Sequence, residues 1–110
     1  MSLNLSKTID AYIEANKRLD VDGMMKHFLL DAVLIDNGKR HEGAGEIRKL
    51  LTEAVGENAI FHPEVSREED GKVVLEGPTE GTFPGSPLRF TYRFTMQGDA
   101  IKVLETDVWA

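Results

Sequence analysis

Apolar positions in the first half of the chain recur at helical spacing. From Leu5 to Leu19 they share one side of a predicted helix, with charged residues between them. Asp20 can cap a second, short helix whose apolar face would be Val21, Met24, Met25, Phe28 and Leu29. A third helix is predicted by the apolar series Ile47, Leu50, Leu51, Ala54 and Val55. The first half is therefore expected to be largely helical.

The rest of the chain has the composition and alternation typical of β-strands, mostly in its second half. A short β-prone run at residues 32–35 ends in the turn signal Asp36-Asn37-Gly38. Four further strands are predicted at residues 59–66, 72–83, 88–96 and 101–109, and apolar and polar side chains alternate clearly in the third of these. Helices followed by an antiparallel meander predict an α+β domain, in the order α-α-β-α-β-β-β-β.

Composition narrows the class of protein. The 110 residues are 41% hydrophobic, which fits one globular domain spanning residues 1–110. A formal net charge of −6 argues against nucleic-acid and anionic-membrane partners. No apolar stretch is long enough to cross a bilayer and the first residues do not resemble a signal peptide, so a cytoplasmic location is expected.

Metal and cofactor chemistry has little support in the sequence. The absence of cysteine excludes disulfides, zinc ribbons and cysteine nucleophiles. His27, His41 and His62 have no ligand-like spacing, although His27 could face a cavity. We therefore expect no metal and no cofactor.

Several segments together resemble the nuclear transport factor 2-like superfamily, in its SnoaL-like and ketosteroid-isomerase-like branch. They are the run from Tyr12 through Asp20-Val21-Asp22-Gly23 to residues 31–36, Gly43 followed by Ile47, and residues 83–87 with Tyr92-Arg93-Phe94. The resemblance implies a cone in which a strongly curved, mostly antiparallel sheet wraps the helices around a blind apolar cavity. It also implies a homodimer formed through the sheet.

The resemblance implies two catalytic residues. Asp36 stands where the isomerases place their general base, and a carboxylate in an apolar pocket can move a proton beside a ketone. Tyr12 matches the tyrosine that stabilises a developing enolate, and its separation from Asp36 fits the branch without a gap. Both residues have simpler interpretations: Asp36 as a turn residue and Tyr12 as a core tyrosine.

The late aspartate that donates a second hydrogen bond in the isomerases falls on Phe90 here, which cannot donate one. Asp107 or Glu105 could supply a carboxyl group instead, unless both are simply solvated. Trp109 could close the pocket mouth, lie in a dimer contact or pack at the domain edge. The candidate pocket-lining residues are Met24, Met25, Phe28, Leu51, Val55, Phe61, Leu75, Phe90, Tyr92, Phe94 and Trp109. For any one of them, an ordinary core position is the simpler interpretation.

The functional expectation is a protein that binds a small hydrophobic molecule in its pocket. If it is an enzyme, it would be a cofactor-free, ketosteroid-isomerase-like isomerase or a polyketide-cyclase-like enzyme that transfers a proton on a hydrophobic carbonyl compound. The alternative is a non-catalytic ligand-binding or dimerisation module of the same fold.

Overall fold

The computed structural model describes residues 6–109 and shows helices packed against a strongly curved sheet. The helices are α1 (Lys7–Lys17), α2 (Val21–Met25) and α3 (Ala44–Gly56). The strands are β1 (Phe28–Asp36), β2 (Lys39–Glu42), β3 (Ile60–Phe61), β4 (Val65–Glu69), β5 (Lys72–Glu80), β6 (Leu88–Gln97) and β7 (Ala100–Val108). The predicted α+β cone is therefore confirmed.

The seven strands form one sheet in the order β2-β1-β7-β6-β5-β3, with β4 also paired to β5. Neighbouring strands are antiparallel except β1 and β7, which run parallel. The first long strand of the chain is thus placed beside the last one, in the middle of the sheet.

Local sequence signals explain the helix starts and the first hairpin. Ser6 Oγ accepts a hydrogen bond from the Ile9 amide at 3.2 Å, and Asp20 Oδ1 accepts one from the Gly23 amide at 3.0 Å. Asn37 and Gly38 have positive φ angles of 50° and 85°, as a tight hairpin turn between β1 and β2 requires. The Asp20 cap and the turn at residues 36–38 were both expected from the sequence.

The structure corrects several predicted boundaries. Phe28 and Leu29 belong to β1 and not to the second helix, because α2 ends at Met25. The short strand β2 was not predicted. Leu5, assigned to the first helix, lies outside the described residues.

The predicted strand at residues 59–66 is two strands, β3 and β4, separated by residues 62–64. At this break the backbone crosses close to Gly77: a Cβ atom added there would lie 2.0 Å from the carbonyl oxygen of His62. Only glycine fits at that point.

The core lies between the helices and one face of the sheet, which we call the inner face. Its members include Ile9, Met24, Phe28, Leu34, Ile47, Leu75, Phe94, Ile101 and Leu104. The opposite face of β5, β6 and β7, the outer face, carries mainly charged and polar side chains. Among residues 6–109, no helix is both long and apolar enough to cross a membrane.

Candidate functional site

A cavity of about 320 Å³ opens between α3, the inner face of the sheet and the segment after β5. Its apolar wall includes Leu34, Leu50, Leu51, Phe83, Phe90 and Leu104. The volume falls at the lower end of the range typical of small-molecule sites. The helices and the sheet therefore leave a hollow large enough for a compact organic molecule.

Asp36 ends β1 and lines this cavity. Its Oδ1 atom accepts a hydrogen bond from the hydroxyl of Thr106 at 2.9 Å. The next residue, Asn37, fixes the turn to β7: its amide donates to the Thr106 carbonyl at 2.7 Å, and its side-chain oxygen accepts from the Val108 amide at 2.7 Å. Asp36 is therefore both a turn residue and a cavity residue, held in place from β7.

Tyr12 lies on the buried side of α1 and lines the same cavity as Asp36. Phe28 and Phe94 hold its ring by edge-on contacts, with centroids 5.6 and 5.9 Å away. Burial raises the pKa of Tyr12 well above its usual value, and the neighbouring Tyr92 raises it further. Tyr12 is consequently a neutral hydrogen-bond donor at any physiological pH. The structure brings both predicted catalytic residues to one cavity; their roles in catalysis remain predictions.

A second tyrosine hydroxyl belongs to the site. Tyr92, expected only as a lining residue, lines the cavity together with Thr79. Burial raises the pKa of Tyr92, the charge of Asp36 raises it further, and a hydrogen bond with Thr79 lowers it. Thr79 Oγ1 is buried without a partner of regular hydrogen-bond geometry among the described residues, so its contact with Tyr92 is weak.

Thr106 and Thr79 were not singled out from the sequence. The alternation of inward and outward positions could have identified both, but only with the strand register known.

The charges around the cavity all have one sign. Asp36, Glu53 and Glu57 contribute carboxylates to the lining, whereas no lysine, arginine or histidine lines it among the residues described. Glu53 and Glu57 are exposed on α3 and at its end, so they lie where the cavity meets solvent. An anionic ligand would meet repulsion with no compensating cation.

No known protein-family model and no curated protein matches the sequence. Solved structures do match. A candidate polyketide cyclase from Sinorhizobium meliloti is 30% identical over 97% of this chain and 99% of its own, with a TM-score of 0.88. The chain belongs to the nuclear transport factor 2-like superfamily.

Two solved structures of lower sequence identity show similarity in fold alone. A nuclear transport factor 2-like protein of unknown function from Cytophaga hutchinsonii is 12% identical, with a TM-score of 0.80 over 99% of this chain and 95% of its own. A protein with a ketosteroid-isomerase-like fold from Catenulispora acidiphila, in complex with trimethylamine, is 15% identical, with a TM-score of 0.80 over 94% and 85%. The superfamily expected from the sequence is confirmed.

Of the predicted lining residues, Leu51, Phe90 and Tyr92 line the cavity. The others that lie on the inner side of the superfamily fold belong to the packed region around the cavity: Met24, Met25, Phe28, Val55, Phe61, Leu75 and Phe94. Hydrophobic spacing identifies the buried face of an element. It does not say whether that face meets another side chain or a hollow.

The late acids point away from the cavity. Glu105 and Asp107 alternate with Leu104 and Thr106 along β7 and therefore lie on the outer face. Glu105 accepts a hydrogen bond from Lys72 Nζ at 2.9 Å, and Asp107 lies 3.6 Å from Arg93 Nη1. Neither carboxylate lines the cavity.

Trp109 also lies away from the cavity, beside β6 on the outer face. Its indole N–H donates to Thr91 Oγ1, and the guanidinium of Arg89 lies 5.0 Å from its ring centroid. About half of its surface is exposed, at 49%. Its placement excludes closure of this cavity mouth.

None of the three histidines lines the cavity. Burial and the charge of Lys26 lower the pKa of His27, and its Nε2 atom is buried without a partner among residues 6–109. No cluster of three or more histidine, aspartate or glutamate side chains that could bind a metal occurs within this part of the chain.

Proposed function

We propose that the protein binds a small, hydrophobic carbonyl compound in the cavity and transfers a proton at the carbon next to the carbonyl. It would act as a cofactor-free isomerase or cyclase. The observation that carries this proposal is the presence of the Asp36 carboxylate and the Tyr12 phenol in one apolar cavity. The similarity to a candidate polyketide cyclase also supports a proposal of cyclase chemistry.

In the proposed reaction, Asp36 takes the proton from the α-carbon through the oxygen that Thr106 does not occupy. The electron pair of the broken C–H bond moves to the carbonyl oxygen and forms an enolate. Tyr12, kept protonated by its raised pKa, donates a hydrogen bond to that oxygen. Asp36 then returns the proton to carbon at the same or a different position.

The acidic lining supports a neutral substrate. Binding a carboxylate or phosphate would bring like charges together in a partly desolvated space, which costs free energy. A neutral polycyclic or bicyclic ketone avoids this cost and fills the apolar wall. The proposed ligand class is therefore an uncharged, enolisable carbonyl compound.

The experiment is α-hydrogen exchange of 2-tetralone, a neutral bicyclic ketone, in D₂O, followed by NMR. The wild-type protein should exchange the α-hydrogens faster than buffer alone. Asp36→Asn should lower the protein-catalysed rate by about 10² to 10⁴. It should leave the thermal unfolding temperature nearly unchanged, because asparagine suits the same turn.

Asp107→Asn is the matched control, because it removes a carboxylate from the outer face of the same sheet. It should leave the exchange rate unchanged. An exchange rate that stays at the wild-type level in Asp36→Asn would refute proton transfer by Asp36 and reduce Asp36 to a turn residue.

A non-catalytic ligand-binding or dimerisation module remains the second candidate, and Phe90 favours it. This residue lines the cavity where the resemblance would place a second hydrogen-bond donor. Such a module would bind 2-tetralone, seen as a thermal shift, without accelerating exchange.

We also propose that two copies associate through the outer face, where Trp109 and the polar residues of β6 are partly exposed. Sedimentation equilibrium at micromolar concentration tests this. A single species with the monomer mass would contradict it.

A further inference from the structure

Three residues from three neighbouring strands form one row across the inner face of the sheet. Asp36 on β1 is paired with Thr106 on β7, and Thr106 is paired with Tyr92 on β6. Paired residues on adjacent strands project from the same face, so the three side chains stand side by side. All three line the cavity. The row therefore presents a carboxylate, an aliphatic hydroxyl and a phenol to one space.

The ring of Tyr92 is held firmly in this row. It stacks parallel on Phe61, with a centroid distance of 3.9 Å and an interplanar angle of 2°. Phe61 is fixed in turn by Asn16 of α1, whose side-chain oxygen accepts the Phe61 amide at 2.8 Å and whose side-chain nitrogen donates to the Ala59 carbonyl at 3.0 Å. The hydroxyl of Tyr92 is thus positioned by packing before any ligand arrives.

The hydroxyl of Tyr92 is available to a ligand. Its polar neighbour in the cavity wall is Thr79, and that contact is weak. Burial and the charge of Asp36 keep the phenol protonated, so it can only act as a donor toward a carbonyl oxygen. Tyr12 and Tyr92 line the same cavity, and both rings pack against Phe94, with centroid distances of 5.9 and 6.2 Å.

We propose that Tyr92 donates the second hydrogen bond to the carbonyl oxygen of the ligand, beside the bond from Tyr12. Thr106 holds one oxygen of Asp36 and leaves the other free to face the α-carbon. This role rests on the proposed function, because it assigns a second donor to the same reaction. Tyr92 would then compensate for Phe90, which lies two residues away on the same face of β6 and cannot donate a hydrogen bond.

The rate test compares Tyr92→Phe with wild type in the 2-tetralone exchange assay. Loss of one such donor should lower kcat by about 10² to 10³ with a smaller change in KM. Tyr12→Phe should have an effect of the same order. Phenylalanine keeps the stack on Phe61, so the unfolding temperature should stay close to that of wild type.

A second measurement reads the hydrogen bond without turnover. In the Asp36→Asn variant, the ¹³C resonance of the carbonyl carbon of bound, labelled 2-tetralone reports on the hydrogen bonds to its oxygen. Each donated hydrogen bond deshields that carbon and moves its resonance downfield. Adding Tyr92→Phe should move the resonance upfield. An unchanged resonance would refute donation by Tyr92 even if the variant were slow for another reason.

The two proposals fail in different ways. Exchange at the buffer rate in the wild-type protein would contradict the proposed function and this role with it. A rate that is lost in Asp36→Asn but retained in Tyr92→Phe would overturn the role of Tyr92 alone.

Discussion

Carboxylates have different partners on the two faces of the sheet. On the outer face Glu105 is paired with Lys72, and Asp107 with Arg93. On the inner face Asp36 has a hydroxyl partner, Thr106, and takes part in no ion pair among residues 6–109. A carboxylate on the outer face is neutralised by its neighbours. Asp36 in the cavity has a neutral hydroxyl as its hydrogen-bond partner instead.

The same contrast applies to packing. Inner-face residues such as Phe94 and Leu104 are fully buried, each with 0% exposure. Outer-face side chains such as Arg93 remain about one-third exposed, at 34%. Hydrophobic burial therefore stabilises the fold mainly from the inner face, although Val74, paired with Arg93 on the outer face, is also buried. Substitutions of neighbouring residues on one strand should separate the contributions of the two faces.

The largest contrast is expected between Phe94 and Arg93, which are adjacent on β6. Phe94→Ala removes a fully buried ring that also contacts Tyr12, and should destabilise the protein by about 3 to 5 kcal/mol. Arg93→Ala removes one partner of a partly exposed ion pair and should cost at most about 1 kcal/mol. Urea unfolding of both variants measures the difference. Equal losses would contradict the division between the faces.

A smaller effect is expected at alkaline pH, from the two buried tyrosines that line the cavity. The raised pKa values of Tyr12 and Tyr92 mean that the unfolded chain releases their protons near pH 10 while the folded protein keeps them. The two tyrosines should therefore leave stability unchanged below about pH 10 and lower it above that pH by about 1.4 kcal/mol per pH unit each.

Tyr12→Phe should remove part of this alkaline loss. The measurement is the free energy of unfolding between pH 9 and pH 11, with wild type and Tyr12→Phe compared at each pH. A variant that loses stability as steeply as wild type would show that Tyr12 ionises as readily when folded as when unfolded.

The resemblance of several segments to the superfamily predicted the cone. Local signals predicted less: helical spacing indicated that Tyr12 lies on the buried side of a helix, and the turn residues indicated that Asp36 ends a strand. The sequence alone could not predict that Thr106 is the hydrogen-bond partner of Asp36, or that Tyr92 lies in the same row across the sheet. Those relations depend on the register of β1, β7 and β6, whose pairing joins distant parts of the chain. For the same reason, the sequence did not determine that Glu105 and Asp107 face outward.

The smallest effect is expected for Glu105→Gln on the outer face. Breaking its contact with Lys72 should cost less than about 1 kcal/mol, and the cost should shrink at high salt because the pair is partly exposed. Binding of 2-tetralone should not change, because Glu105 does not line the cavity. A loss of ketone affinity would mean that the outer face influences the site.

The parallel pairing of β1 with β7 has a consequence for biosynthesis. Asp36 leaves the ribosome early, but its partner Thr106 emerges only after all the intervening strands. Until then β1 lacks its neighbour in the middle of the sheet, and the growing polypeptide exposes an unpaired strand edge. The cavity can therefore bind a ligand only after β7 has been synthesised. Before that, the exposed edge of β1 is a binding site for chaperones.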